Sequence, residues 1–227
     1  MCVISDPKQP RPQALTQEER VVALAEFFGV KKFDFQLMQQ SGVIKRTVFL
    51  TIDVQKEFAD PDYSNRGNAR TDSVSTHIAE LTPQFRQVGF PVGHVYYAQN
   101  KNEKPETAMG GFHRIQVDKA QDMLIPKNED SAFQGGNIKA DLNSKGITHL
   151  LVSGFNASAC VHQSVLGALK HDFNVCVLSD LIGNGAWLPR NHMAELTDMK
   201  NNGAHAEESE FFIEKIGLKD HVCACSL

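Results

Sequence analysis

The sequence carries no surplus of positive charge: 23 Lys+Arg stand against 27 Asp+Glu, a formal net charge of −4. A phosphate backbone is bound through an excess of cations, so no nucleic acid is expected as the main partner. Long apolar runs are also missing. Stretches such as residues 48–52 fall far short of the roughly 20 residues that cross a bilayer, so no membrane is expected either. No charged segment followed by an apolar h-region opens the chain, which reads as the lack of a secretory signal. Cysteine is scarce and unframed: Cys2, Cys160, Cys176, Cys223 and Cys225 are odd in number, and two lie in the last five residues. That pattern predicts reduced thiols in a cytoplasmic protein, with export by a signal-less route left open. Cys223 and Cys225 supply only two thiolates, too few for a closed zinc site, and the chain's end misses a prenylation box.

What is present is an ordinary globular composition. Apolar residues make up 41% and charged residues 22% of 227 positions, enough for one large domain. Residues 1–15 are rich in Pro and Gln and read as an extended arm. Thr16-Gln17-Glu18-Glu19 has the form of a capping box, and the apolar spacing after it predicts a helix of about three turns. A second helix is expected over residues 33–40, ending at Gly42. These helices read as an extension over residues 1–45 that buries Phe27 and Phe28 on its own core or on another subunit, and a homo-oligomer is expected.

From Thr47 the rhythm changes. Strands are expected at residues 47–54, 91–97, 123–125, 149–153 and 175–178. Between and after them, helices are expected at 72–88, 137–145, 161–171, 191–200 and 209–216. Strands alternating with helices imply right-handed crossovers and a parallel sheet covered on both faces. The fold class expected is a three-layer α/β/α sandwich with a mainly parallel, Rossmann-like sheet over residues 46–218. Residues 219–227 read as a flexible tail.

In such sheets the ligand crevice lies beyond the carboxyl ends of the strands. Asp53 ends the first strand, Lys127 follows the third, and Cys160 begins the helix after the fourth. The fold therefore brings a carboxylate, an ammonium and a thiol to one edge. With Ser158 as N-cap, Cys160 would stand in the first helical turn, where the dipole stabilises a thiolate and free N–H groups can receive an oxyanion.

Three segments also carry a resemblance. Thr51-Ile52-Asp53-Val54-Gln55-Lys56-Glu57-Phe58 resembles the Asp-x-Gln-x-x-Phe strand end of the isochorismatase-like cysteine hydrolases. Pro126-Lys127 followed by Ser131-Ala132-Phe133 is similar to that family's lysine and Ser-Ala-Phe. The segment Ser153-Gly154-Phe155-Asn156-Ala157-Ser158-Ala159-Cys160-Val161 resembles its nucleophile segment, especially in N-carbamoylsarcosine amidase-type members. The resemblance implies that fold, and Asp53, Lys127 and Cys160 as catalytic residues of a thioester mechanism. It also implies a cis peptide before Asn156, which turns that N–H to share an oxyanion with the N–H of Cys160. Gln55, Phe58, Phe133 and Trp187 are the substrate-binding candidates at the rim.

Nicotinamidases of this family hold a metal through an Asp-x-His segment after the second strand. Here the matching place reads Tyr96-Tyr97-Ala98-Gln99-Asn100, so no metal and no cofactor is expected. The expected activity is metal-independent hydrolysis of a C–N bond in a small-molecule amide, ureido or carbamoyl compound. The alternatives are a vinyl-ether hydrolase of the isochorismate type and a catalytically silent domain used for protein binding.

Overall fold

The computed structural model describes residues 15–30, 35–100, 102–189 and 191–216. Expectations for the N-terminal arm, the start of the second helix, and the cysteines at 2, 223 and 225 fall outside them. Six strands form one sheet: β1 (Thr47–Ile52), β2 (Val92–Tyr97), β3 (Met123–Lys127), β4 (His149–Phe155), β5 (Asn174–Gly183) and β6 (His205–Glu207). Their order across the sheet is β3-β2-β1-β4-β5-β6, and every neighbouring pair is parallel. The three-layer α/β/α sandwich expected from the sequence is the fold observed.

The pleat explains both covered faces. Side chains alternate along a strand, and in β1 Phe49 enters one core while Val48, Leu50 and Ile52 enter the other. β5 divides likewise, Cys176 and Leu178 from Val175 and Val177. The Phe49 face is covered by α1 (Gln17–Phe27), α4 (Ala69–Gln87) and α8 (Ser209–Lys215), through Leu24, Ile78, Phe85 and Phe212. The opposite face is covered by α5 (Ile138–Ser144), α6 (His162–Lys170) and α7 (Met193–Asn201), through Leu142, Val165 and Met199. Two short helices, α2 (Phe35–Gln40) and α3 (Lys56–Ala59), complete the set among the described residues. None of the helices is long and apolar enough to cross a membrane.

The capping box at α1 forms as expected: Glu19 N–H donates to Thr16 Oγ1, and Thr16 N–H donates to the Glu19 carboxylate. The helix buries its apolar face on its own chain. Phe28 packs against Phe212 and stacks on His149, while the Arg20 guanidinium pairs with Glu207 and lies 3.8 Å over the Phe211 ring.

Several boundaries differ from expectation, among them β1, which stops at Ile52 instead of running to residue 54. β3 runs on through Pro126 to Lys127, so Lys127 is the last residue of the strand rather than the first beyond it. Proline is tolerated there because β3 lies at the sheet edge. β4 extends to Phe155, and β5 extends to Gly183 past a register shift opposite Val152 and Gly154. β6 has no counterpart among the expected strands. At Gly154 the pleat brings β4 against β1 so closely that a Cβ would lie 2.1 Å from the Ile52 carbonyl oxygen.

Candidate active site

The parallel register aligns the strand ends. Ile52 pairs with Gly154, and Tyr97 pairs with Lys127, so residues just past β1 and β4 and at the tip of β3 meet on one edge. Asp53 follows β1 with φ of 51°, a left-handed conformation that an L-residue holds at some cost. Its N–H donates to the Val95 carbonyl, and its own carbonyl accepts from Gln55 N–H, which pins the turn. The side chain is thereby aimed beneath the sheet edge and is fully buried.

Lys127 Nζ lies 2.7 Å from Asp53 Oδ2, with both side chains shielded from solvent. The ammonium also donates to the Glu129 carbonyl at 3.0 Å and sits 4.8 Å from the centre of the Tyr97 ring. The Lys127 approach to Asp53 is close but poorly angled, and neither carboxylate oxygen takes a well-aligned hydrogen bond among the described residues. Burial lifts the Asp53 carboxyl above the ordinary carboxylate range, against the opposing pull of the Lys127 charge. Burial works hardest against the Lys127 ammonium too, but Asp53 and Cys160 together outweigh it and hold that group above its usual value. The result is a carboxylate that accepts a proton readily beside a cation that keeps its own.

Cys160 sits in a π-turn, residues Ala157–Val161, that leads into α6. It is 7% exposed, and its Sγ donates to Asp130 Oδ1 at 3.8 Å. The thiol is pushed up to about 12, first by burial and then by the Asp53 charge, with Lys127 opposing. Burial and the neighbouring carboxylate thus act against the dipole-stabilised thiolate expected from the sequence, and they favour a thiol that needs a base. Ser158 is not the N-cap either, because Asn156 holds that place. Ser158 N–H instead donates to Asn184 Oδ1, and Asn184 Nδ2 donates back to Ser158 Oγ and to the Pro189 carbonyl. Asn156 Oδ1 accepts from Gly185 N–H, and the Phe155–Asn156 peptide is cis. Two asparagines thus tie the cysteine turn to the end of β5.

The structure brings Asp53, Lys127, Cys160 and the Asn156 backbone together. The four rim candidates separate. Gln55 is fully buried with its amide committed to the backbone: Oε1 accepts from Tyr97 N–H, and Nε2 donates to the Tyr97 and Ala108 carbonyls. It clamps the end of β2 and has no free group to offer a substrate. Phe133 turns away, its ring against His171 and Phe173 below α6. Phe58 and Trp187 do approach each other, ring centres 6.3 Å apart, with Tyr97 on the other side of Phe58 at 6.4 Å. Trp187 is 47% exposed and closes this aromatic wall at the surface.

Asp130 and Asn184 are the neighbours of the cysteine turn that the sequence did not point to. Asn184 carried a usable signal, standing between two glycines past a strand end. Asp130 lies three residues beyond Lys127 and gave none. It borders a cleft of about 270 Å³ lined also by Tyr97, Asn128, Glu129, Ser131, Gln134 and Gln163. Among the described residues no three His, Cys, Asp or Glu side chains gather as ligands for a metal ion.

A parallel sheet with a buried carboxylate–ammonium pair facing a thiol at its carboxyl edge marks this chain as a hydrolase-fold protein of a definite kind. It belongs to the isochorismatase family, whose Isochorismatase domain matches residues 47–211. A probable inactive nicotinamidase of Arabidopsis thaliana is 33% identical over 90 residues, which is 39% of this chain and 45% of that protein. The N-carbamoylsarcosine amidase of an Arthrobacter species is 29% identical over 93 residues, 41% of this chain and 34% of the amidase. These two matches therefore span less than half of either relative. Among solved structures, an isochorismatase family protein from Burkholderia thailandensis superposes with a TM-score of 0.64 at 18% identity, covering 76% of this chain and 96% of that one.

Proposed function

We propose that this protein is a metal-independent cysteine amidohydrolase that cleaves a C–N bond of a small amide, ureido or carbamoyl compound. The observation that carries this reading is the buried Asp53, paired with Lys127, whose carboxylate oxygens take no well-aligned donor where the Cys160 thiol approaches. A thiol raised to about 12 is a poor nucleophile alone, and a proton-accepting carboxylate is the group that activates it. In the proposed reaction Asp53 takes the Cys160 proton as Sγ bonds to the carbonyl carbon. The backbone N–H groups of Asn156 and Cys160 receive the oxyanion. The C–N bond breaks, the proton on Asp53 passes to the departing nitrogen, and ammonia or an amine leaves. Asp53 then draws a proton from water, the resulting hydroxide adds to the thioester, and the carboxylic or carbamic acid departs as the thiol is restored. The amidase among the relatives supports this bond type.

The test is intact-protein mass spectrometry after mixing with a panel of amides, ureido acids and carbamoyl compounds, wild type beside Cys160→Ser. A transient adduct confined to the wild type and mapped to Cys160 is expected, its mass giving the acyl group. Turnover that survives Cys160→Ala would overturn the reading in favour of thiol-free chemistry.

A further inference from the structure

The Cys160 thiol lies between two carboxylates, and the proposed reaction uses only one of them. Asp53 lies beneath it, fully buried, with oxygens that take no well-aligned donor. On the open side, Asp130 Oδ1 accepts from Sγ at 3.8 Å, from an exposed position on the cleft wall. The charges near the nucleophile do not cancel. Lys127 is neutralised by Asp53, the thiol is uncharged, and Asp130 remains as a full negative charge with Glu129 beside it on the same wall. None of the described residues lining that cleft is Lys or Arg.

We propose that Asp130 is a specificity-determining residue: it admits amides whose groups next to the scissile carbonyl are neutral hydrogen-bond donors or cations, and it turns away those bearing a carboxylate there. The inference rests on the amidohydrolase reading and names the charge class of its substrate. A carboxylate about 4 Å from the attacking atom acts on any charge a substrate carries beside its carbonyl. Near a protein surface that interaction is several-fold stronger than in bulk water. Cationic or N–H-rich substituents gain a partner in Asp130, and anionic ones meet a like charge.

The test reads this charge preference at Sγ without requiring turnover. Cys160 is modified with two methanethiosulfonate reagents of matched size, one ending in an ammonium and one in a sulfonate, and the label is localised by peptide mapping. Each rate is divided by that of a small free thiol, because the attacking thiolate itself favours a cation; on that scale wild type is expected to favour the cation at least about tenfold, and Asp130→Asn is expected to bring the normalised ratio close to one. Asp130→Glu should keep the preference, and Asp130→Ser serves where the Asn variant fails to fold. Because loss of Asp130 also eases ionisation of the thiol, both absolute rates can rise, so the ratio is the readout. An unchanged normalised ratio in Asp130→Asn, a wild-type preference no greater than that of the free thiol, or no labelling of Cys160 by either reagent would each overturn the proposal. In parallel, propionamide, succinamate and β-alaninamide are offered to both proteins. Hydrolysis of none of them counts against the amidohydrolase reading, while the labelling ratio still decides the role of Asp130.

Discussion

Lys127 and Asp53 form a 2.7 Å ion pair from which solvent is wholly excluded, between the last residue of one strand and the first beyond another. The two strands are not neighbours; β2 lies between them and its Tyr97 covers the ammonium. Such a pair contributes little net stability when intact, because desolvation offsets attraction, but leaving one partner alone is costly.

Lys127→Met should therefore lose about 3–5 kcal/mol of unfolding free energy, by stranding a buried carboxylate. The double variant Asp53→Asn/Lys127→Met should recover much of that loss while remaining inactive. Urea unfolding of the single and double variants checks this. A double variant less stable than Lys127→Met would contradict it.

Asn184→Ala should cost about 1–3 kcal/mol, because it leaves Ser158 N–H and the Pro189 carbonyl without their partner inside the protein. The change loosens the turn bearing Cys160, so the alkylation rate of that thiol should shift as well. Asn184→Asp keeps the acceptor for Ser158 N–H and should lose less. Denaturation midpoints and alkylation rates of the two variants, measured together, test the ranking.

Gly154→Ala should fail to fold, or lose more than about 4 kcal/mol. Its φ is 113°, and the added Cβ would stand 2.1 Å from the Ile52 carbonyl oxygen, backbone that cannot give way. Gly146→Ala is the control, with φ of 68° and nothing within 4 Å, and should lose only about 1–2 kcal/mol. Thermal melts of the pair separate conformational strain from collision.

Stability should fall as the solution is acidified below about pH 6.5. Burial lowers the pKa of His149, His192 and His205, so below that value the unfolded chain takes up protons that the folded one refuses. His149 Nε2 faces the Phe27 carbonyl at 3.0 Å, and a carbonyl can only accept, so that nitrogen carries the proton of the neutral ring. Asp122 acts lower on the scale. Burial pushes its carboxyl up, but hydrogen bonds from His94, Arg86 and the Asp118 N–H prevail and hold it at about 2. Its contribution is present above the ordinary carboxylate value and is lost only as pH approaches 2. Melting temperatures from pH 8 to 5 should decline, and His149→Asn should flatten the decline.

The sheet and the meeting of Asp53, Lys127 and Cys160 at its edge were legible because their signals are local. The β-branched run of β1, the capping box at Thr16, and reactive residues placed at strand ends need no knowledge of neighbours. What escaped depends on neighbours. β6 is three residues, His-Ala-Glu, with no apolar alternation to mark it. β5 outruns its apolar stretch because Ser179 and Asp180 fall in the irregular pairing, where Asp180 accepts from Ser209 N–H and Oγ to start α8. Gln55 looked like a substrate ligand because its partners, Tyr97 and Ala108, are more than 40 positions away. The surroundings of the Cys160 thiol were hidden for the same reason: a helix end is visible in sequence, whereas burial and the Asp53 charge emerge only in three dimensions.

The docking of α1 beside α8 bears on the order in which the chain can assemble. Arg20 meets Glu207 across 187 positions, and Phe28 meets Phe212. A ribosome delivers α1 long before its partner exists, so one of the two cores stays open through nearly all of synthesis. The other, beneath α5, α6 and α7, can begin to gather earlier around β1 and β4 and needs nothing from α1 or α8. The sheet's two faces are thus completed at different times, and the one that closes last is not the one beneath the helix that follows the cysteine turn.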